Sequence, residues 1–121
     1  MSYALVIDEN TQTTKALIQM LKLWKIVVRS ALSPRVAMTI LNEDIPAIVF
    51  LDINMPGVDG FEVLAYLRHE PRLANVPVII VTSNDQPQTY KRAMDEGANM
   101  VIIKPVMLDS LEEALKKVEI I

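Results

Sequence analysis

Five short apolar runs are spaced along the chain, and none of them alternates apolar with polar residues. They lie at residues 3–7, 26–29, 48–51, 78–81 and 100–103. A continuously apolar strand has to be covered on both faces, which is typical of the parallel sheets of α/β proteins. The runs therefore predict five buried parallel strands.

Helical patterns separate these runs. In the first of them, apolar side chains recur at helical spacing from Ala16 to Trp24, and Trp24 is predicted to anchor this helix in the core. Strands and helices therefore alternate five times along the chain. Short right-handed connections between such elements give a doubly wound parallel sheet with five helices on its two faces.

The composition excludes several classes of protein. The chain of 121 residues has no Cys, which removes disulfide frameworks, thiolate metal sites and thiol nucleophiles. Its net charge of -3, without a run of Lys or Arg, gives no support for direct nucleic-acid binding. Asp8-Glu9 interrupts the first apolar run, so neither a signal peptide nor a membrane span is predicted there. We expect a cytoplasmic protein without membrane contact.

Polar residues follow four of the predicted strands. They are Asp8-Glu9 after the first, Asp52 after the third, Thr82-Ser83 after the fourth and Lys104 after the fifth. The carboxyl ends of parallel strands meet at one edge of the sheet, so these groups are expected to lie together. Clustered carboxylates select a hard cation such as Mg²⁺, whereas a lysine and a hydroxyl suit the oxygens of a phosphoryl group.

Four separated motifs carry a resemblance to a known family. Asp8-Glu9, the run DINMPGVDG at residues 52–60, Thr82-Ser83 and Lys104-Pro105 resemble the signature of the receiver domain of two-component response regulators, including single-domain chemotaxis-type receivers. Each motif stands at the end of the appropriate strand. The resemblance implies a receiver domain over residues 1–121 with a flavodoxin-like α/β fold, a doubly wound five-stranded parallel sheet of strand order 2-1-3-4-5.

The same resemblance assigns roles to individual residues. It implies that Asp52 accepts a phosphoryl group from a histidine kinase or phosphotransfer protein, and that Thr82 and Lys104 bind the phosphoryl oxygens. Its implied Mg²⁺ ligands are Asp8, Glu9, Asp52 and the backbone carbonyl of Asn54. A carboxylate is a competent nucleophile once a cation offsets the charge that develops on the transferred group.

The output surface is implied as well. The resemblance places a downstream protein or output domain on the face of the fourth helix, fifth strand and fifth helix, in a signalling domain that is not an enzyme beyond its own phosphorylation and dephosphorylation. Val101 stands where the family usually has Tyr or Phe. The usual ring rotation is therefore not available, and we expect the signal to pass through a shift of the fourth helix.

Two other functions are alternatives to a phosphorylation-dependent signalling switch. An aspartyl-nucleophile phosphatase on a similar sheet commonly carries D-x-D at its first strand, whereas the nucleophile candidate here follows the third strand. A docking domain that does not need phosphorylation is favoured only by Val101. Turnover of a phosphate ester distinguishes the first alternative, and labelling by an acyl phosphate distinguishes the second.

Overall fold

The computed structural model describes residues 2–121, apart from the side chain of Val58. The strands are β1 (Ala4–Ile7), β2 (Val28–Ala31), β3 (Ile48–Leu51), β4 (Asn54–Met55), β5 (Val58–Asp59), β6 (Val78–Thr82) and β7 (Met100–Ile103). The helices are α1 (Thr11–Leu21), α2 (Pro34–Glu43), α3 (Gly60–His69), α4 (Pro87–Asp95) and α5 (Leu108–Lys117). A short 3₁₀ helix, Lys22–Trp24, follows α1.

Five of the strands form one parallel sheet in the order β2-β1-β3-β6-β7. The remaining two, β4 and β5, form a separate antiparallel hairpin directly after β3. Counted along the chain without this hairpin, the main sheet has the order 2-1-3-4-5. The predicted fold class and strand order are therefore confirmed.

Both faces of the sheet are buried, as the continuous apolar runs require. On β1, Leu5 and Ile7 enter one core cluster together with residues of α2, α3 and α4. Their neighbours Ala4 and Val6 enter a second cluster, with residues of α1 and α5. Successive side chains of a strand point to opposite faces, so each central strand supplies both clusters.

The second strand was predicted two residues too early. It runs over Val28–Ala31 rather than 26–29, because Ala4 of β1 aligns with Val28. Lys25 takes a left-handed conformation (φ 59°) that turns the chain before the strand begins. Ser30 lies in an edge strand that is partly exposed, so apolar character alone does not mark the strand's end.

The anchor role predicted for Trp24 is wrong. Helix α1 ends at Leu21, and Trp24 lies in the following 3₁₀ helix, where it is only partly buried against the second cluster. The fully buried residues of α1 are Leu17 and Leu21. The helical spacing continued past the actual helix end, because periodicity does not show where a helix changes its winding.

Arg68, near the end of α3, fastens two loops together. Its guanidinium donates hydrogen bonds to the carbonyl oxygens of Ala74 and Val76, before β6, and of Gly97, before β7. It also donates to Asn99 Oδ1, 3.1 Å away. Burial lowers the pKa of Arg68. All of these acceptors are neutral, so this partly buried cation is stabilised by hydrogen bonds to amide oxygens.

Replacing Arg68 with Met should lower the free energy of unfolding by about 3 kcal/mol, because several buried carbonyl groups would lose a charged donor. Urea denaturation at neutral pH measures this. Arg35→Met is the matched control, since Arg35 is exposed, and its effect should stay within about 0.5 kcal/mol. An equally small effect at Arg68 would contradict the view that its hydrogen bonds to the two loops stabilise the fold.

Candidate functional site

The strand registers bring the predicted site residues to one edge of the sheet. The backbone N–H of Asp52 donates to the carbonyl of Ile7 over 2.9 Å, which places Asp52 beside Asp8. The N–H of Lys104 donates to the carbonyl of Thr82 over 2.8 Å, which aligns the ends of β6 and β7. Residues that are far apart in sequence therefore share one site because four parallel strands end together.

Asp8 and Asp52 are held in the same way. Oδ1 of Asp8 accepts the backbone N–H of Asn10, and Oδ1 of Asp52 accepts that of Asn54, both over 2.9 Å. The two Oδ2 atoms face the ammonium group of Lys104, which lies 2.9 Å from Asp8 and 3.3 Å from Asp52. Local turns therefore fix the Oδ1 atom of each carboxylate. The two Oδ2 atoms face the same ammonium group.

Burial and charge act against each other in this cluster. Burial raises the pKa of Asp8, although hydrogen bonds from Asn10 and Lys104 oppose the shift. Burial alone would lower the pKa of Lys104, but its hydrogen bond to Asp8 and the attraction of Asp52 and Asp8 outweigh it, so the pKa is raised. Lys104 is therefore a firmly charged lysine between two carboxylates.

Thr82 is fully buried beside this cluster. Its Oγ1 accepts hydrogen bonds from Asn54 Nδ2 over 3.0 Å and from the backbone N–H of Asn84 over 3.1 Å. A hydroxyl has one proton and two lone pairs, so the proton of Thr82 stays available for an incoming acceptor. The contact between Asn54 and Thr82 was not predicted, because it depends both on the pairing of β3 with β6 and on how the hairpin folds over the end of β3.

The segment after Asp52 folds back on itself. Gly57 takes a positive φ of 73° in the turn between β4 and β5, a conformation that glycine adopts without strain. Gly60 opens α3 so close to Ile53 that a Cβ atom there would lie 2.3 Å from the Ile53 Cα atom. The close approach keeps the hairpin directly over the end of β3.

Glu9 differs in burial from the other carboxylates of the predicted site. It is exposed, whereas Asp8 and Asp52 are buried. Within residues 2–121, no three side chains of the His, Cys, Asp or Glu type lie close enough to hold a metal ion. Of the three carboxylates expected at the strand ends, the structure brings Asp8 and Asp52 together around the ammonium group of Lys104.

Replacing Asp8 with Asn should raise the free energy of unfolding by about 1 kcal/mol at neutral pH, because Asp8 is a buried carboxylate that shares one ammonium group with Asp52. The folded pKa of Asp8 is raised, so wild-type stability falls as the pH rises through that pKa. The advantage of the variant should therefore disappear at acid pH. Urea denaturation in the presence of a chelator measures both effects.

The control for this variant is Asp85→Asn, which removes an exposed carboxylate and should change stability little. A loss of stability in Asp8→Asn at neutral pH would contradict the view that the buried charge of Asp8 destabilises the fold.

Val101 lies on β7, in register with Ile80 of β6. It is partly buried and packs against the cluster that contains the α4 residue Ala93. An aliphatic side chain at this place has no ring to turn between an inward and an outward position.

The sequence matches the family model described as the response regulator receiver domain over residues 4–116. The chain belongs to this family. The receiver domain is 33% identical, over 93% of its length, to the C4-dicarboxylate transport transcriptional regulatory protein DctD of Pseudomonas aeruginosa, and covers 24% of that protein. It is 31% identical, over 88% of its length, to the transcriptional regulatory protein HprR of Escherichia coli and covers 47% of that protein.

Solved structures agree with this assignment. The signal receiver domain of a DNA-binding response regulator from Colwellia psychrerythraea superimposes with a TM-score of 0.90 at 26% identity, covering 100% of both chains. The fold is also that of chemotaxis protein CheY4 of Vibrio cholerae, with a TM-score of 0.88 at 22% identity and 98% of each chain covered.

The receiver domain spans half or less of the length of the first curated relatives that it matches. Among the helices of residues 2–121, none combines the length and the apolar character that crossing a membrane requires.

Proposed function

We propose that this receiver domain is a switch in which Asp52 accepts a phosphoryl group from a histidine kinase or phosphotransfer protein. The observation that carries the proposal is the Lys104 ammonium group, 2.9 Å from Asp8 and 3.3 Å from Asp52. This cation lies where a phosphoryl group on Asp52 would place its negative oxygens. The buried hydroxyl of Thr82 is linked to the segment after Asp52, because its oxygen accepts a hydrogen bond from the Asn54 side chain.

In the transfer step, a carboxylate oxygen of Asp52 forms a bond to phosphorus while the bond between phosphorus and the donor nitrogen breaks. The electron pair of that bond stays on the nitrogen. Lys104 balances the charge of the phosphoryl oxygens, and Thr82 donates its hydroxyl proton to one of them in a hydrogen bond. The N–H of Asn54 keeps the Asp52 carboxylate in a fixed orientation throughout.

The donor set fits Mg²⁺, a hard ion that prefers oxygen ligands and keeps several waters. Asp8 and Asp52 place two negative charges against the single positive charge of Lys104, so a further cation would balance the site. We propose that Asp8, Asp52 and the backbone carbonyl of Asn54 hold the ion, and that the exposed Glu9 reaches it directly or through water. The bound ion would offset the negative charge that gathers as the phosphoryl group approaches.

Acetyl phosphate with Mg²⁺ tests the proposal without the cognate kinase. We expect the intact mass to rise by one phosphoryl group and the gain to disappear when a chelator removes Mg²⁺. A protein that instead releases phosphate continuously from a generic phosphate ester would be a phosphatase. A protein that gains no mass would be a docking domain, and the switch would be excluded.

For the output we propose the face formed by α4, β7 and α5. Four large hydrophobic side chains on or beside these elements are exposed: Tyr90, Ile103, Met107 and Leu108. Exposed apolar side chains grouped in this way suit binding to another protein. A downstream protein or an output domain would cover this face.

A single arginine connects α4 to the segment that follows the phosphoacceptor. Arg92 of α4 lies 3.9 Å from the centre of the Phe61 ring, and its guanidinium is 3.8 Å from Asp59 Oδ2. Asp59 is also the N-cap of α3 and accepts the N–H of Phe61. A displacement of the hairpin after Asp52 would therefore reach α4 through contacts that do not involve Val101.

We expect beryllium fluoride with Mg²⁺, a mimic of the phosphoryl group, to shift the amide resonances of residues 84–97 more than those of 101–103. The reason is that the loop after Thr82 starts at the phosphoryl site and α4 contacts the segment after Asp52 through Arg92, whereas Val101 has no ring to rotate. Two-dimensional NMR of labelled protein measures the shifts.

The control is Asp52→Asn with the same reagents, which should leave these resonances unchanged. Shifts confined to residues that contact the Asp52 carboxylate would show that the domain stores the phosphoryl group without passing the signal to α4.

A further inference from the structure

Positive charge is concentrated on one part of the chain. Between Asn10 and Asn42 there are five basic residues and no acidic residue, although the whole chain has a net charge of -3. The five are Lys15, Lys22, Lys25, Arg29 and Arg35, and all of them are exposed. Within residues 2–121, none of them lies within ion-pair distance of a carboxylate. This charge is therefore not neutralised inside the domain.

Three of these cations lie in or just before β2, an edge strand of the sheet. We call residues 22–31, with Lys22, Lys25 and Arg29, the basic edge. Val27 and Leu23 lie on the same segment, with exposed fractions of 50% and 66%. A groove of about 400 Å³ runs alongside, lined by Ile18, Lys22, Lys25, Ile26, Val27 and Val28. The basic edge therefore combines cations with apolar surface.

The backbone of the basic edge is available for pairing. The carbonyl groups of Val27 and Ala31 accept hydrogen bonds from β1, so these residues point their polar backbone groups inward. In a parallel strand, alternate residues point theirs to the opposite side. Val28 and Ser30 therefore present an N–H and a carbonyl group each at the outer side of β2, which has β1 as its one neighbour in the sheet.

Lys25 supports a role for the cations. It has a left-handed backbone with φ of 59°, a conformation that glycine adopts with less strain. A lysine at this position places a positive charge at the start of the edge strand at some cost to the fold. The strain also makes Lys25 a useful site for substitution, because glycine would remove the charge and relieve the backbone together.

We propose that the basic edge binds an extended, acidic segment of a partner protein, which adds to the sheet beside β2. The free N–H and carbonyl groups of Val28 and Ser30 would pair with its backbone, and Lys22, Lys25 and Arg29 with its carboxylates. DNA and lipid headgroups match the cations but offer no row of backbone donors and acceptors. A second copy of this domain, paired edge to edge, would bring the same cations together, so repulsion opposes it.

The probe for this surface is a capped peptide of about ten residues that alternates Val and Glu. In an NMR titration we expect the amides of residues 27–32 to shift. The double variant Lys25→Gly with Arg29→Gln should weaken binding about tenfold or more, because two ionic contacts are lost. Lys117→Glu is the control of similar charge change on α5, which packs on β7 at the other edge, and it should bind as the wild type does.

Three results would overturn the proposal. One is the absence of shifts in residues 27–32 up to about 5 mM peptide. Another is equal binding of a peptide with Lys in place of Glu. The third is a stronger response of the same amides to anionic lipid vesicles or duplex DNA than to the peptide. Asp52→Asn should bind the peptide as the wild type does. The peptide test can therefore fail while the phosphorylation test succeeds, and the reverse.

Discussion

Asp52→Asn should take up no phosphoryl group from acetyl phosphate, with a yield at least about 100-fold below that of the wild type. An amide is a poor nucleophile, and it removes one of the two charges that face Lys104. The variant should still fold, because an Asn side-chain oxygen can accept the N–H of Asn54 that Asp52 Oδ1 accepts now. Intact-mass spectrometry with Mg²⁺ present measures the result.

Asp109→Asn is the matched control, since it removes an exposed carboxylate on α5 and should leave the mass gain unchanged. Undiminished uptake by Asp52→Asn would show that another residue accepts the phosphoryl group.

Lys104→Met should slow phosphoryl uptake about 100-fold, because this ammonium group is the cation placed to balance the transferred oxygens. Asp8 and Asp52 would also lose the charge that they share. The folded pKa of Lys104 is raised, so its ion pairs stabilise the fold below the ordinary pKa of lysine and are lost only as the pH rises through the folded value. Uptake by the wild type should therefore not decline through deprotonation of Lys104 near neutral pH.

Time-resolved mass spectrometry gives the rates, and Lys117→Met, an exposed lysine on α5, serves as the control. Equal rates for Lys104→Met and the wild type would mean that the cation stabilises the resting site without taking part in transfer.

Much of this fold could be predicted from the sequence, because a strand buried on both faces has to be apolar throughout. The runs at 48–51 and 100–103 match β3 and β7 as observed. β2 was misplaced because an edge strand is only half covered, and Ser30 is as acceptable there as an apolar residue. Helix ends were harder to predict than the central strands. Trp24 continues the apolar spacing of α1, although it lies in the 3₁₀ helix that follows α1.

The positions of the site residues could also be predicted from the strands, but the contacts between their side chains could not. Strand ends indicated that Asp8, Asp52 and Lys104 would meet, and they do so within 3.3 Å. The hydrogen bond between Asn54 and Thr82 depends on how the hairpin folds over the sheet. No local sequence signal carries that information.

Reduction of the phosphorylated wild type with borohydride tests the central claim most directly, because it converts an aspartyl phosphate to homoserine at the modified position. Peptide mass spectrometry then identifies the residue. We predict homoserine at position 52, formed only when acetyl phosphate and Mg²⁺ were both present. Homoserine at position 8, a modified Glu9, or no modified residue in protein that has gained the mass would contradict the assignment of Asp52 as the phosphoacceptor.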